Sequence, residues 1–149
     1  MSFTAFNRYL EVTGHHALVQ DGPWAQDQRG DYESGIVQID GELWWLRTAR
    51  VTPTKPGAFV AFWERNEHGA TQPFAVDESA VGLLVFVADQ DRFGVFRFPA
   101  EELARLGITR SASQPGKRGF RLYPPWCSDL NPQALRTQRV QAKSFTLLE

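Results

Sequence analysis

Nine cations and two aromatic residues carry the chemical signal of this chain. Arg47, Arg50 and Lys55 lie in a stretch, residues 43–63, that contains no Asp or Glu. Arg47 and Arg50 fall at the end of an otherwise apolar strand, at a spacing that puts them on opposite faces. Lys55 follows in a loop bracketed by Pro53 and Pro56. Proline on both sides removes loop entropy in advance, which favours a fixed ligand contact. The expected chemistry is a phosphate clamp. The competing reading is strand-end arginines bridged to Asp40, Glu42 or Glu64.

A second group is Gln114-Pro115-Gly116-Lys117-Arg118-Gly119-Phe120-Arg121, within a run from Glu102 to Asp129 that holds five Lys/Arg and no carboxylate between its ends. Gly116 and Gly119 would let backbone N–H groups turn toward an anion, as in a nest. Lys supplies a point charge and Arg a planar fork, two complementary ways of holding phosphate oxygens. Tyr123 and Trp126 follow as faces on which bases could stack. The bland alternative is a solvated basic turn.

The third group is on the last helix, opened by Asn131 as N-cap and Pro132 at the first helical position. At 100° per residue Ala134, Leu135, Gln138, Ala142 and Phe145 share one side, and Arg136, Arg139 and Lys143 the other. No acid stands four residues away to pair with that stripe. Val140, at its edge, fits poorly. Cations near a helix C-terminus also suit the helix dipole without any ligand.

Patterns for bond-breaking are scarce. A metal nuclease of the restriction-endonuclease type needs Asp/Glu-x-Lys on one strand and an acid on another. No Asp/Glu-x-Lys occurs in the chain; Glu33, Asp40 and Glu64 are the carboxylates that would have to form an unorthodox set. His15, His16, His68 and Cys127 lack the spacing of a zinc site. Cys127 has no spaced His partner, and no Walker-type or G-x-G-x-x-G loop is present. No catalytic residue, metal or cofactor is expected.

The elements that must position these residues follow from periodicity. Phe3, Phe6 and Leu10 fall at helical spacing, predicting a helix over 3–12 that stops at Gly14. Residues 15–31 are polar and read as a loop. Strands are expected at Ile36–Ile39 and Leu43–Arg47, joined at Asp40-Gly41 in a hairpin. Others are expected at Phe59–Trp63, Val81–Val87, Phe93–Phe98 and Phe120–Tyr123. The Val81–Val87 run is almost wholly apolar, which places it mid-sheet with both faces covered. Asp89-Gln90-Asp91 reads as a hairpin turn. A short helix over Pro99–Leu106 ends at Gly107-Ile108 in a Schellman stop. The expected fold is α+β: one domain over residues 1–149, with a central, largely antiparallel or mixed sheet of five to six strands between N- and C-terminal helices.

Length and charge bound the partners. The 149 residues suit one domain, with 42% apolar and 22% charged residues. One cysteine rules out an intramolecular disulfide. No apolar run approaches the roughly 20 residues of a membrane span, and residues 1–8 lack a signal-peptide pattern, so the expected place is the cytoplasm, without a membrane partner. Net charge is −1. Residues 1–102 hold eight Lys/Arg against fifteen Asp/Glu, whereas residues 103–149 hold eight against two. That asymmetry points to a polyanionic partner.

The stretch Arg47-Thr48-Ala49-Arg50-Val51-Thr52-Pro53-Thr54-Lys55-Pro56-Gly57, leading into Phe59 and Trp63-Glu64-Arg65, resembles the central signature of the MepB family. Lys117-Arg118-Gly119-Phe120-Arg121-Leu122-Tyr123-Pro124, then Ala134, Gln138, Gln141 and Phe145, resemble its C-terminal part. Pro73-Phe74 with Asp77, Phe98-Pro99 and Leu106-Gly107-Ile108 fit in order, so the likeness runs from about residue 32 to 147. It implies a bacterial intracellular protein whose founding members are encoded beside a multidrug efflux pump and its regulator. It further implies a core akin to restriction endonucleases and a role in binding nucleic acid. Glu64 stands where the likeness implies a basic residue, and Ala58 where it implies a polar amide.

The leading expectation is therefore a non-catalytic protein that binds nucleic acid, DNA or RNA, with little sequence preference, because phosphate contacts position without specifying. Arg47, Arg50, Lys55, Lys117, Arg118 and Arg121 would contact phosphates, with Arg136, Arg139 and Lys143 as an outer rim. A metal-dependent phosphodiesterase using Glu33, Asp40 or Glu64 is one alternative. Another is a sensor of a small anionic or aromatic ligand, linked to efflux, with Trp44, Trp45 and Trp63 lining its pocket. Neither oligomeric state nor physiological process is written in the sequence.

Overall fold

A computed structural model describes residues 2–27, 32–76 and 80–149. Helix α1 (Thr4–Thr13) ends at Gly14 in the left-handed region and is followed by a 3-10 turn, His15–Leu18. Strands β1 (Val19–Ala25), β2 (Gly35–Ile39), β3 (Glu42–Thr48), β4 (Arg50–Val51) and β5 (Ala58–Ala61) come next. The short β6 (Glu64–Arg65) and β7 (Thr71–Gln72) pair around the turn at His68-Gly69. Then come β8 (Gly82–Asp89), β9 (Arg92–Pro99), α2 (Ala100–Arg105) and β10 (Gly119–Leu122). The chain closes with α3 (Pro132–Gln141), a 3-10 turn (Ala142–Ser144) and β11 (Phe145–Leu147).

Six strands form one mixed sheet in the order β1-β2-β3-β8-β9-β11, and β10-β5-β4 form a second, smaller sheet. Only β3 and β8 run parallel within the large sheet; a parallel pair needs a long crossover, which residues 49–81 supply. Strand alternation sends Leu84 and Phe86 of β8 to one face and Leu83, Val85 and Val87 to the other. The first set meets Phe3, which precedes α1, and Phe6 and Leu10 of α1; the second meets Val60 of β5, and Phe120 and Leu122 of β10. β8 is thus covered on both faces, as its apolar run implies. Trp44 and Trp45, as neighbours, part in the same way, one into each core.

Several local expectations hold. Asp40 and Gly41 both take positive φ in the β2–β3 turn. Gln90 does so between β8 and β9. Ile108 N donates to Leu103 O at 2.9 Å and Gly107 has φ 75°, which is the expected helix stop.

Three differ. The 15–31 loop contains a 3-10 turn and β1; β1 is an irregular edge strand with register shifts around Asp21 and Trp24, and its mostly exposed residues carry no apolar face to signal a strand. The strand carrying Arg47 breaks at Ala49, so Arg50 belongs to the second sheet. The last helix stops at Gln141, and Phe145 lies in β11 opposite Phe96. Of the resemblance positions, Asp77 lies outside the described residues.

Candidate nucleic-acid interface

Strand β10 is the edge of the small sheet, and an edge strand leaves backbone groups unpaired. Here a side chain fills the vacancy. Gln141, 4% exposed, accepts the Tyr123 N–H through Oε1 at 3.0 Å and donates from Nε2 to the Arg121 carbonyl at 2.9 Å. Gln138 Nε2 donates to the carbonyls of Pro124 (2.9 Å) and Cys127 (3.1 Å). Two glutamines on one helical face therefore stitch α3 to the segment 121–127. The helix starts where it does because Asn131 Oδ1 accepts the Ala134 N–H at 2.8 Å.

Between α3, β10 and the turn after α2 lies a cleft of about 530 Å³. Its floor is apolar, with Leu106, Ile108, Phe120 and Ala134. Lys117, Arg121, Arg136 and Tyr123 stand around that floor, together with the carboxamides of Asn131 and Gln133. No carboxylate lines it. Val140, the misfit of the cationic stripe, is 47% exposed and forms part of the wall. Arg121 also braces the proline-bracketed loop: its Nη2 donates to Thr52 Oγ1 at 2.6 Å and to the Pro56 carbonyl at 2.9 Å. Thr52 Oγ1 in turn donates to the Lys55 carbonyl at 2.9 Å.

That loop itself lines a smaller cleft of about 240 Å³, together with Asp89, Arg92, Trp126 and Cys127 among others. Trp126 packs edge-on against Phe145 with ring centres 5.6 Å apart, and the Arg92 guanidinium lies 5.3 Å from its indole. Burial raises the Cys127 thiol above its ordinary pKa, as does the charge of Asp89 to a lesser degree; a hydrogen bond with the Gly57 backbone and the charge of Arg92 oppose them.

The expected cations thus divide. Lys117, Arg121 and Arg136 share the large cleft with Tyr123; Lys55 and Trp126 belong to the small one. Arg118 is exposed beside β7, its Nε donating to the Thr71 carbonyl at 3.4 Å, and Arg139 is exposed on α3 outside the cleft. Arg50 is exposed on β4, opposite Phe59. Among the described residues none of Lys117, Arg118, Arg121, Arg136 and Arg139 makes an ion pair.

Three expectations are corrected. Arg47 is fully buried, donating to Gln26 Oε1 (2.7 Å) and the Leu46 carbonyl (2.8 Å) with its guanidinium 5.2 Å from the Phe62 ring. Burial pushes its pKa down to about 9. Its even-numbered step from Trp45 aims it into the core, where no phosphate reaches it. Lys143, expected to be unpaired, lies in the 3-10 turn and bridges Glu102 of α2 at 3.4 Å. Arg105 bridges the same carboxylate. Burial acts to raise the Glu102 pKa, but hydrogen bonds and charge from Arg105 and Lys143 outweigh it and hold the carboxyl below its usual range. The anion nest at Gly116 and Gly119 is not formed. The Lys117 N–H is taken by the Ile108 carbonyl at 2.8 Å and so is turned away from any anion, and at Gly116 a side chain would strike Pro73 and Arg110.

The alternative sets disperse. Glu33 accepts the N–H groups of Thr4 (3.0 Å) and Ala5 (3.1 Å), capping α1, and the Thr48 hydroxyl at 2.9 Å. Glu64 faces Arg110 at 3.4 Å, and Asp40 sits in the β2–β3 turn. Among the described residues no three metal-ligating side chains converge. Trp44 and Trp45 point to opposite cores and Trp63 lies with Arg65 on the β6 hairpin, so the three share no pocket.

Sequence reading missed Asn131, Gln133, Gln141 and Arg92 as cleft residues. Gln133, Arg136, Thr137 and Val140 recur at helical spacing, so a wall was available to the periodicity; the choice of Arg136, Arg139 and Lys143 followed charge instead.

The MepB-like family model matches residues 26–147, which takes in the large sheet except β1, the small sheet and the cleft. The chain belongs to the MepB-like family. A crystal structure of MepB superimposes with a TM-score of 0.86 at 32% identity, covering 98% of this chain and 97% of that one. No curated protein matches the sequence. The MepB-like signature residues acquire structural roles here: Gln138 and Gln141 are the stitches of α3, Ala134 is its capped and buried first turn, and Phe145 packs on Phe96 with ring centres 4.9 Å apart.

Proposed function

We propose that this MepB-like protein binds nucleic acid through its phosphate backbone, without catalysis and with little sequence preference. The observation that carries the reading is the large cleft, where Lys117, Arg121 and Arg136 face one cavity that no carboxylate lines. Unpaired cations over an apolar floor suit a ligand that is both anionic and aromatic-bodied, and Tyr123 offers a stacking face. The basic balance of residues 103–149 extends the positive potential beyond the cleft and would speed encounter with a polyanion. Arg118 and Arg139, exposed outside the cleft, serve as an outer rim in this reading. The protein's place would be the bacterial cytoplasm, alongside an efflux system. Among the described residues no helix is long and apolar enough to cross a membrane.

Fluorescence anisotropy with single-stranded DNA, double-stranded DNA and RNA over a salt series tests it, with Lys117→Ala/Arg136→Ala in parallel. Several neutralised phosphates give a log–log slope of about −0.7 per phosphate for single strands, reduced in the double variant by about 1.4. Flat anisotropy at low salt for all three polymers would overturn the reading.

A further inference from the structure

The small cleft plays no part in that reading, yet it repeats the composition of the large one. Each joins an aromatic face to more than one cation: Tyr123 with Lys117, Arg121 and Arg136 in the first, Trp126 with Lys55 and Arg92 in the second. We propose that the small cleft is a second subsite for the same nucleic-acid strand, Lys55 and Arg92 holding a further phosphate and Trp126 a further base. This rests on the nucleic-acid reading of the large cleft.

Three observations join the two. Arg121 lines the large cleft, and its guanidinium bonds Thr52 and Pro56, which line the small one, so one side chain ties the two walls together. Tyr123 and Trp126 are three residues apart, which bounds their Cα separation at about 11 Å. The Cys127 N–H to Pro124 carbonyl bond, 2.9 Å, turns the chain between them and shortens it. At 3.4 Å of rise per nucleotide that is at most about three steps along one strand. Finally, the Arg92 guanidinium lies 5.3 Å from the Trp126 indole, so the small cleft, like the large one, sets a cation beside an aromatic face. Asp89 also lines the small cleft and opposes an anion there; two cations against one carboxylate leave the balance positive.

Cys127 lines the small cleft and is the chain's one cysteine, so its alkylation reports occupancy of that subsite without any substitution. Binding of a two-nucleotide and an eight-nucleotide oligothymidylate is measured by anisotropy over a salt series, for the wild type and Lys55→Ala, whose exposed side chain supports no core. Iodoacetamide labelling of Cys127 is followed with each oligomer at saturation. With the longer oligomer, Lys55→Ala flattens the salt slope by about 0.7 and labelling slows several-fold. With the shorter one, both readings stay at their starting values. Equal slopes for the two proteins on the longer oligomer, or labelling that the longer oligomer leaves unchanged, would overturn the second subsite while leaving the large cleft intact. No binding of either oligomer by the wild type would remove both proposals together.

Discussion

The side-chain amide of Gln141 accepts the Tyr123 N–H at 3.0 Å and so occupies, beside β10, the place of a neighbouring strand. Its Nε2 completes the imitation by donating to the Arg121 carbonyl. A peptide group is what an edge strand lacks, and a buried carboxamide has the same donor and acceptor.

Replacing Gln141 with Met keeps the volume and removes both bonds. Two part-buried backbone groups then lose their partners, a cost of about 1–3 kcal/mol. Urea unfolding reads this directly; a loss below about 0.5 kcal/mol would show that the glutamine is dispensable.

Gly57 holds the proline-bracketed loop against β10 at φ 82°, where a Cβ would lie 2.4 Å from the Leu122 carbonyl oxygen and 2.8 Å from the Tyr123 ring. Gly57→Ala therefore has to move the loop. We expect a loss of about 1–3 kcal/mol in stability. Weaker polyanion binding should accompany it, because the displaced loop carries Lys55 and its contacts with Arg121. Unchanged melting and unchanged affinity would contradict the close approach.

Glu102 makes stability depend on acid. Its folded pKa lies below the ordinary carboxylate value, so the unfolded chain takes up its proton first as pH falls. The contribution is fully present above about pH 4.5 and is lost as pH drops through the lower folded value. Glu102→Gln should flatten the pH dependence of unfolding in that acid window. A slope equal to that of the wild type would mean that Arg105 and Lys143 do not favour the ionised form.

Glu33 spends its oxygens on the first turn of α1 and on Thr48. Glu33→Ala should cost about 1–2 kcal/mol, the range of a lost helix cap. With Glu33 and Glu64 both engaged, millimolar Mg²⁺ should leave the wild-type melting temperature where it was. A rise of several degrees would reopen the metal question.

Features legible in the sequence were those set by neighbours along the chain. The Asp40-Gly41 turn, the Gly107 stop and the Asn131 cap each need only two or three residues, and the apolar run of β8 states its own burial. Pairing between distant segments left no such mark. Nothing near Lys143 shows that Glu102, 41 positions earlier, neutralises it, and nothing at Ala49 shows that the next two residues join another sheet. Gln141 was visible only as a position of family likeness, because a buried amide has the same composition as an exposed one. Part of the site followed charge: three of the nine expected cations share the large cleft. The others were separated by strand breaks and by side-chain direction.

The short β11 has a mechanical meaning. Helix α3 is fastened ahead by its glutamines to residues 121–127 and behind by the pairing of Phe145–Leu147 with β9. Both fastenings act on the C-terminal half of the helix, so that part of the cleft wall stands in place before any ligand arrives. Little ordering entropy is then charged to binding. Force applied to that wall passes straight into the rim of the large sheet.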